Sequence, residues 1–304
     1  MKKLSYNQLP IFKSVLFLFI MIFAGQNLSA QETEEDEWED DSKKEIHGFY
    51  DTRVINGHSS ETLEKGTLDF RITHRFGNIA EPSSGRTLFG LDNSTDIRIA
   101  FEYAPTDNLL LGFGRSKGFV PYTEYWDGFA KYKIFNQSEK FPVTLTAVSS
   151  AFATSMQSSD DSTLMTNFTN PARRFTYYTQ LIVARNLYDK ITLQLAPGIL
   201  HRNFVNYDDE NTNFVLGGMI RYNFYKKLSI LAEYYHLFRN PELGAADRYK
   251  QSLGFALEIK TYAHVFQLSF TNSEAIGEGQ FIPYTASNWL NGQFRFGFTI
   301  SREF

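Results

Sequence analysis

The feature that most constrains this chain is a series of segments, each about ten residues long, in which apolar and polar side chains alternate. Side chains on a β-strand point alternately to opposite faces, so a period of two predicts strands with one apolar and one polar face. The closing stretch, GQFRFGFTISREF, puts Phe296 and Phe298 on one face and Arg295 and Thr299 on the other. Similar segments recur from Thr67 onwards.

The two faces of these predicted strands differ in a way that indicates their surroundings. One face carries Leu, Ile, Phe and Tyr with almost no charge, and the other mixes Gly, Ser, Thr, Gln and charged residues. A soluble β-sandwich rarely keeps one face so free of charge on every strand. Aromatic residues make up 16% of the chain, which is typical of membrane interfaces. We therefore predict an all-β fold, a transmembrane antiparallel up-and-down β-barrel.

The connections between the predicted strands alternate between short and long. Barrels of this type have short periplasmic turns and long extracellular loops. Counting back from Phe304 gives about 12 strands over residues 67–304, with both termini in the periplasm. The connections expected outside the cell are Asn78–Ser94, Lys117–Glu124, Ser155–Arg173, Asn206–Thr212, Phe238–Arg248 and Ser273–Ser287.

Three segments precede the predicted barrel. Residues 1–30 combine a Lys-rich start, a short apolar stretch and small residues, which indicates a signal peptide cleaved after Ala30. Residues 31–47 are dense in acidic side chains and are predicted to be a disordered periplasmic tail. Residues 48–66 form a pre-barrel segment, expected either beneath the barrel or folded into its lumen.

Charged residues concentrate on the polar face of the strands, which is expected to line the lumen. They could select polar or charged solutes along a path through the barrel, or pair with each other as a polar core. We expect Asp69 and Arg71 to lie close to Asp96 and Arg98 on the neighbouring strand. The predicted lumen-lining charged residues are Asp69, Arg71, Arg75, Asp96, Arg98, Glu102, Asp127, Lys131, Lys133, Arg221, Glu233, Glu258 and Arg295.

The chain end resembles the β-signal that closes many outer-membrane proteins and is read by the barrel-assembly machinery. The stretches RVINGHSSETLEKGTLDFRITHRFG, FGLDNSTDIRIAFEYAPTDNLLLGFGRS and YWDGFAKYK resemble an uncharacterised family of Gram-negative outer-membrane β-barrels, a domain of unknown function. The resemblance implies the fold and an outer-membrane location, and it brings no assigned activity. The predicted insertion signal comprises Phe294, Phe296, Phe298, Ile300 and Phe304.

Three functions are compatible with these patterns. The first is a passive channel for small polar solutes through a charge-lined lumen, and the second is a closed barrel that acts as a scaffold or partner in an envelope complex. The third is a membrane-embedded lipid hydrolase, for which His58 and Ser60 form the one His-x-Ser sequence. We do not predict an enzyme, because this pair precedes the barrel. The acidic stretch YDDEN is more typical of a solvated loop than of a calcium site.

The expected partners follow from the location. They are outer-membrane lipid, the barrel-assembly machinery during insertion and, as a further candidate, a periplasmic protein. A net charge of −4 gives no indication of nucleic-acid binding, and the absence of cysteine excludes disulfides and thiolate metal sites. No cofactor or metal is predicted. Aromatic residues near strand ends are expected to form interfacial girdles: Tyr103, Tyr222, Phe224, Tyr225, Tyr234, Tyr235, Tyr262 and Trp289.

Overall fold

The computed structural model describes residues 48–304 apart from 81–83, Asp189 and Tyr262, so the predicted signal peptide and acidic tail lie outside the described residues. In the described part of the chain, twelve strands form one closed, all-antiparallel barrel, which confirms the predicted fold. The strands are β1 (Leu68–Asn78), β2 (Ser94–Thr106), β3 (Leu109–Phe119), β4 (Tyr122–Phe135), β5 (Thr144–Thr154), β6 (Phe175–Leu187), β7 (Ile191–Arg202), β8 (Thr212–Tyr225), β9 (Leu228–Leu237), β10 (Ser252–Lys260), β11 (His264–Thr271) and β12 (Arg295–Glu303).

We call the barrel end at which β1 begins and β12 ends the base, and the opposite end the rim. Base connections are short; β8 and β9 are joined by residues 226–227 alone. Rim connections are longer, with one exception that corrects the sequence prediction. The Lys117–Glu124 connection is a tight turn over residues 120–121, because Phe119 pairs directly with Tyr122.

Short helices occupy several rim connections. Helix α1 (Gly244–Arg248) follows β9, and helix α2 (Glu278–Tyr284) lies between β11 and β12. None of the helices in the described part of the chain is long and apolar enough to cross a membrane. Short 3-10 helices span Ser84–Thr87, Pro171–Arg174 and Trp289–Asn291.

The strand faces differ as the alternation predicts, because the closed sheet gives each strand one inner and one outer side. Outward side chains such as Phe101 and Phe113 are 50% and 56% exposed, whereas inward side chains are mostly buried. Tyr235 was predicted in an aromatic girdle, but it faces the lumen and is buried. The reason is its position beside Tyr234, because neighbours on a strand cannot share a face. Tyr262 lies outside the described residues.

The register between β1 and β2 corrects one predicted proximity. Asp69 pairs with Glu102, and Arg75 pairs with Asp96, so Asp69 and Asp96 lie at different heights. The cause is the antiparallel hairpin, in which the start of one strand meets the end of the next. Arg71 lies opposite Ala100 rather than Arg98.

Among the described residues, two segments outside the strands fill the lumen. Residues 48–66, the plug hairpin, enter from the base; residues 272–287, the inward loop, enter from the rim and include α2. Their apolar side chains Val54, Phe281 and Ile282 are buried in the same cluster as inward residues of the wall. The connection Ser273–Ser287 was predicted outside the cell. It turns inward because its apolar side chains find this cluster and its polar groups bond to the wall.

Candidate functional site: the filled lumen

The plug hairpin is a short antiparallel loop whose two ends lie at the base. Arg53 pairs with His58 across it, and the Val54 amide donates to the Gly57 carbonyl at 2.9 Å. An Asn-Gly pair, Asn56–Gly57, forms its tip, as is typical of tight hairpin turns. The hairpin therefore reaches the middle of the lumen as a loop attached to the barrel through β1.

The tip of the plug hairpin is held by the carboxylate of Glu233 on β9. The amides of Ile55, Asn56 and Gly57 donate to Glu233 at 3.2, 3.1 and 2.9 Å, and the Asn56 side-chain amide donates at 3.1 Å. Successive amides that converge on one anion form a nest that is strong inside a low-dielectric interior. Arg75 adds a bond of 2.6 Å to the Asn56 side-chain oxygen. Glu233 thus binds the tip through neutral amide groups, three of the backbone and one of a side chain, rather than through an opposite charge.

Lys131 on β4 holds both arms of the plug hairpin. Its Nζ donates to the carbonyls of Thr52, Ser59 and Glu61 at 2.8, 3.1 and 2.9 Å, which uses all three ammonium protons. Lys133, two residues on, forms an ion pair with the Glu61 carboxylate at 3.3 Å. Both lysines are buried, so the hairpin supplies the partners that a buried ammonium requires.

Arg71 on β1 is a second cationic contact of the first hairpin arm. It binds Asp51 with both terminal nitrogens, and one of them also reaches Thr52 Oγ1 at 2.9 Å. Asp69 lies 3.2 Å from the same nitrogen, and Thr52 Oγ1 donates to Glu102 at 2.6 Å. These wall charges are therefore matched by groups of the plug hairpin.

The inward loop is bound to the rim half of the wall. Asp96 accepts the Ile276 amide at 2.9 Å, and Gln280 donates to the carbonyls of Phe119 and Tyr122, both at 2.6 Å. At the other end, Arg295 donates to Ser287 Oγ at 2.9 Å. The loop is thus anchored on β2, on the β3–β4 turn and on β12.

The plug hairpin and the inward loop meet at Glu278. Its carboxylate lies 3.4 Å from His58 Nε2 and 3.8 Å from Arg53 Nη1, and it accepts from Gln180 on β6 at 2.9 Å. A cavity of about 10 Å³ remains between Arg53, Arg71, Arg98 and neighbouring residues, which is room for about one water. The lumen is therefore filled at this height.

One ion pair spans two strands along the wall. Arg98 on β2 donates to Asp127 on β4 at 2.9 and 2.6 Å, over the intervening strand β3. Gly114 of β3 lies beneath the pair, and a Cβ there would be 2.7 Å from Arg98 Nη2 and 2.9 Å from Asp127 Oδ2. The glycine therefore makes room for the pair.

All of the charged residues predicted to line the lumen are buried on the inner side of the barrel. The structure brings together Arg71 with Asp69, Arg98 with Asp127, and Arg221 with Glu258, the last at 3.5 Å. A role in lining a solute path stays a prediction. The sequence analysis did not single out the uncharged wall residues that bind the plug hairpin and the inward loop. The alternation of apolar and polar residues places these side chains on the inner face of the barrel: Thr146, Gln180, Thr192 and Gln194.

The other candidate residues take structural positions. His58 and Ser60 are buried inside the barrel, and Ser60 Oγ donates to Glu61 rather than to the histidine. In the acidic loop, Asp208 pairs with Arg248 at 2.5 Å, and Asp209 pairs with Arg202 at 2.7 Å. Among the described residues, no group of three or more His, Asp or Glu side chains could hold a metal ion.

The predicted insertion-signal residues lie on and beside the closing strand. Phe296, Phe298 and Ile300 point outward from β12, and Phe296 stacks on Phe76 of β1 at 5.7 Å. The Phe304 amide donates to the Leu68 carbonyl at 2.8 Å and so completes the closing seam. Phe294 stacks on the ring of Trp289 at 4.9 Å. Recognition by the assembly machinery stays a prediction.

A closed, even-stranded antiparallel barrel with an apolar outer face and a polar inner face defines a membrane β-barrel protein. The family model described as a membrane bound beta barrel domain (DUF5777) matches residues 49–304, and the chain belongs to this family. Among curated proteins none matches the chain.

Several solved porins are similar to this chain. A KdgM porin is 12% identical, with a TM-score of 0.47 over 78% of this chain and 99% of that chain. A NanC porin is 9% identical, with a TM-score of 0.48 over 77% and 97%. An outer membrane channel from Pseudomonas putida F1 is 13% identical, with a TM-score of 0.46 over 81% and 98%. These likenesses concern the fold and carry no argument about what passes through the lumen.

Proposed function

We propose that this protein is an outer-membrane channel for small polar solutes that its own plug hairpin closes in the described conformation. The proposal rests on one observation, namely that the plug hairpin fills the lumen without taking part in the closed β-sheet. The barrel closes through β1 and β12 alone, whereas the plug hairpin is bound to the inner wall by hydrogen bonds and ion pairs. Its departure would leave the barrel hydrogen bonds intact and expose a wall lined with charge.

Lys131 offers the sharpest test, because one side chain holds both arms of the hairpin. A Lys131→Met variant loses three bonds to carbonyls, each worth about 1.5–3 kcal/mol for a charged donor. Residues 31–304 are refolded into a planar lipid bilayer, and single-channel conductance is recorded. We expect rare openings in the wild type and frequent openings in the variant.

The exposed Lys65 provides a matched control, because Lys65→Met removes the same charge outside the lumen. The control is expected to behave as the wild type. Equal and frequent openings in all three proteins would contradict closure by the hairpin.

A closed barrel that serves as a scaffold is the second candidate. The cavity of only about 10 Å³ in the middle of the lumen favours it. Complete silence of correctly folded wild-type and Lys131→Met proteins at every voltage would support this candidate and contradict the channel. A lipid hydrolase receives no support, because His58 is enclosed in the lumen.

The membrane orientation is part of the same proposal. The base carries the short connections and the rim carries most of the long ones, which supports a periplasmic base and an extracellular rim. An epitope placed in the rim connection at residues 155–170 is then expected to bind antibody on intact cells. Labelling only after the outer membrane is permeabilised would contradict the orientation.

A further inference from the structure

The outer face of the barrel carries a groove on the rim half of β2, β3 and β4. Its volume is about 310 Å³, and its apolar lining includes Ile99, Phe101, Phe113 and Trp126. Phe113 and Trp126 stack at 5.5 Å along one side. This surface faces lipid in a membrane-bound barrel, so the shape and the apolar lining suit an acyl chain.

Two cations, Arg115 and Lys117, lie at the rim side of this groove and share the outward face of β3 with Phe113. Arg115 lies between Ile99 on β2 and Trp126 on β4 in the strand register. A charge on the lipid-facing surface of a barrel is unfavourable at depth and tolerated near the headgroups. Their position near the rim therefore places both cations at the headgroup level of the leaflet on that side.

The carboxylates of the described residues leave both cations without an opposite charge. Within the described residues, no carboxylate forms an ion pair with Arg115 or Lys117. The Arg115 guanidinium lies 5.2 Å from the centre of the Trp126 ring, and Lys117 Nζ donates to the Ser94 carbonyl at 3.2 Å. Glu124, on the neighbouring strand, accepts from Ser155 Oγ at 3.2 Å.

These contacts fix the two side chains without pairing either of them with an opposite formal charge. A guanidinium that stacks on an aromatic face keeps its N–H edge available for an oxyanion, and an ammonium with one carbonyl partner keeps further donors. Phosphate is the anion that two adjacent basic side chains at a membrane surface attract.

We infer that this groove is a binding site for an anionic membrane lipid of the rim-side leaflet, one whose phosphate charge is not compensated by a cationic headgroup. The phosphate contacts Arg115 and Lys117, and one acyl chain lies along Ile99, Phe101 and Phe113 toward the base. The site is on the outer face of the barrel, so its occupation does not depend on whether the lumen conducts.

Trp126 allows the site to be tested by fluorescence quenching. In a Trp38→Phe/Trp289→Phe background, Trp126 is the single tryptophan. The full mature chain is reconstituted in phosphatidylcholine vesicles that contain a small fraction of either dibrominated phosphatidylglycerol or dibrominated phosphatidylcholine. The two quenchers share their brominated chains and differ only in the headgroup.

We expect the brominated phosphatidylglycerol to quench Trp126 more strongly than the brominated phosphatidylcholine. The local enrichment of phosphatidylglycerol should be about fivefold for each of the two basic side chains. The Arg115→Gln/Lys117→Gln variant is expected to lose this preference. An Arg302→Gln/Lys227→Gln variant is expected to keep it. This control removes two basic side chains at the base, including an arginine that stacks on Phe304 at 4.7 Å.

Equal quenching by the two lipids in the parent protein would overturn the proposal. A preference that survives in the Arg115→Gln/Lys117→Gln variant would overturn it as well. Heat-dependent migration on a gel verifies that each variant is folded, and the two single substitutions replace the double variant if it fails to fold. Each of them is expected to lose part of the enrichment.

Discussion

At the residue scale, the plug hairpin lies tightly against the wall at Gly57. A Cβ at this position would lie 1.8 Å from Tyr235 Oη and 2.7 Å from the ring carbon that bears the hydroxyl. The hairpin tip therefore fits the wall only with glycine here. Gly57 also donates its amide to Glu233, so any shift of the tip weakens that bond.

Gly57→Ala is therefore expected to weaken docking of the hairpin by about 1–3 kcal/mol, the usual effect of overpacking. The measurement is the open fraction in single-channel recordings, which should rise. Gly218→Ala is the matched control, because nothing lies within 4 Å of a Cβ at Gly218. A Tyr235→Leu change added to Gly57→Ala makes room and should restore closure. An unchanged open fraction in Gly57→Ala would contradict the tight fit.

Gly114 supports a second prediction at the residue scale. Gly114→Ala would push apart the buried pair of Arg98 and Asp127, and we expect a loss of about 1–3 kcal/mol in barrel stability. Urea unfolding in lipid vesicles measures this loss. Gly128→Ala is the control, because its nearest neighbour would be 3.8 Å away. Equal urea midpoints for Gly114→Ala and Gly128→Ala would show that the Arg98–Asp127 pair tolerates a side chain at position 114.

At the scale of elements, a cluster of ion pairs joins three rim segments. Asp209, in the β7–β8 connection, binds Arg202 at 2.7 Å and Arg239 of the β9–β10 connection at 3.3 Å. Arg239 also donates to the Pro283 carbonyl of the inward loop. Burial by itself would raise the pKa of Asp209, but the hydrogen bond and charge of Arg202, together with Arg239, lower that pKa below its ordinary value.

The lowered pKa predicts how the rim cluster responds to acid. A carboxyl whose folded pKa is lowered stabilises the folded state fully above its unfolded pKa, and this contribution is lost as the pH falls through the folded pKa. Protection factors of residues 206–212, which compare each measured exchange rate with the intrinsic rate at the same pH, should therefore be high and constant above about pH 4 and fall below it. In Asp209→Asn, exchange relative to the wild type should be fast already at neutral pH. Equal exchange in the wild type and Asp209→Asn at neutral pH would contradict a stabilising role for these ion pairs.

The sequence predicts the strands well because each strand separates two different surroundings. The alternation of apolar and polar residues corresponds directly to the outer and inner faces of the barrel, as the burial pattern of β1 shows. The anchors of the plug hairpin are harder to predict. Glu233 binds backbone amides, which carry no signal in the sequence, and Lys131 binds backbone carbonyls. The inward course of residues 272–287 depends on distant partners such as Asp96, which only the closed barrel brings near.

At the scale of the whole molecule, two segments enter the barrel from opposite ends and meet at Glu278. The wall supplies buried charges, and the segments supply their partners, so each stabilises the other. Closure of the barrel and filling of the lumen use different bonds. Departure of the plug hairpin would therefore leave the β-sheet intact, and the inward loop would keep its own bonds to the rim half of the wall.

The most direct test of this account is a reversible covalent lock on the plug hairpin. The chain has no cysteine, and a Cβ at Gly48 would lie 2.9 Å from Thr192 Cγ2, so Gly48→Cys and Thr192→Cys can form one disulfide between hairpin and wall. The pair is introduced into Lys131→Met, and conductance is recorded under oxidising and then reducing conditions. The account predicts a closed barrel when the pair is oxidised and frequent openings after reduction. Equal conductance in both states would contradict it.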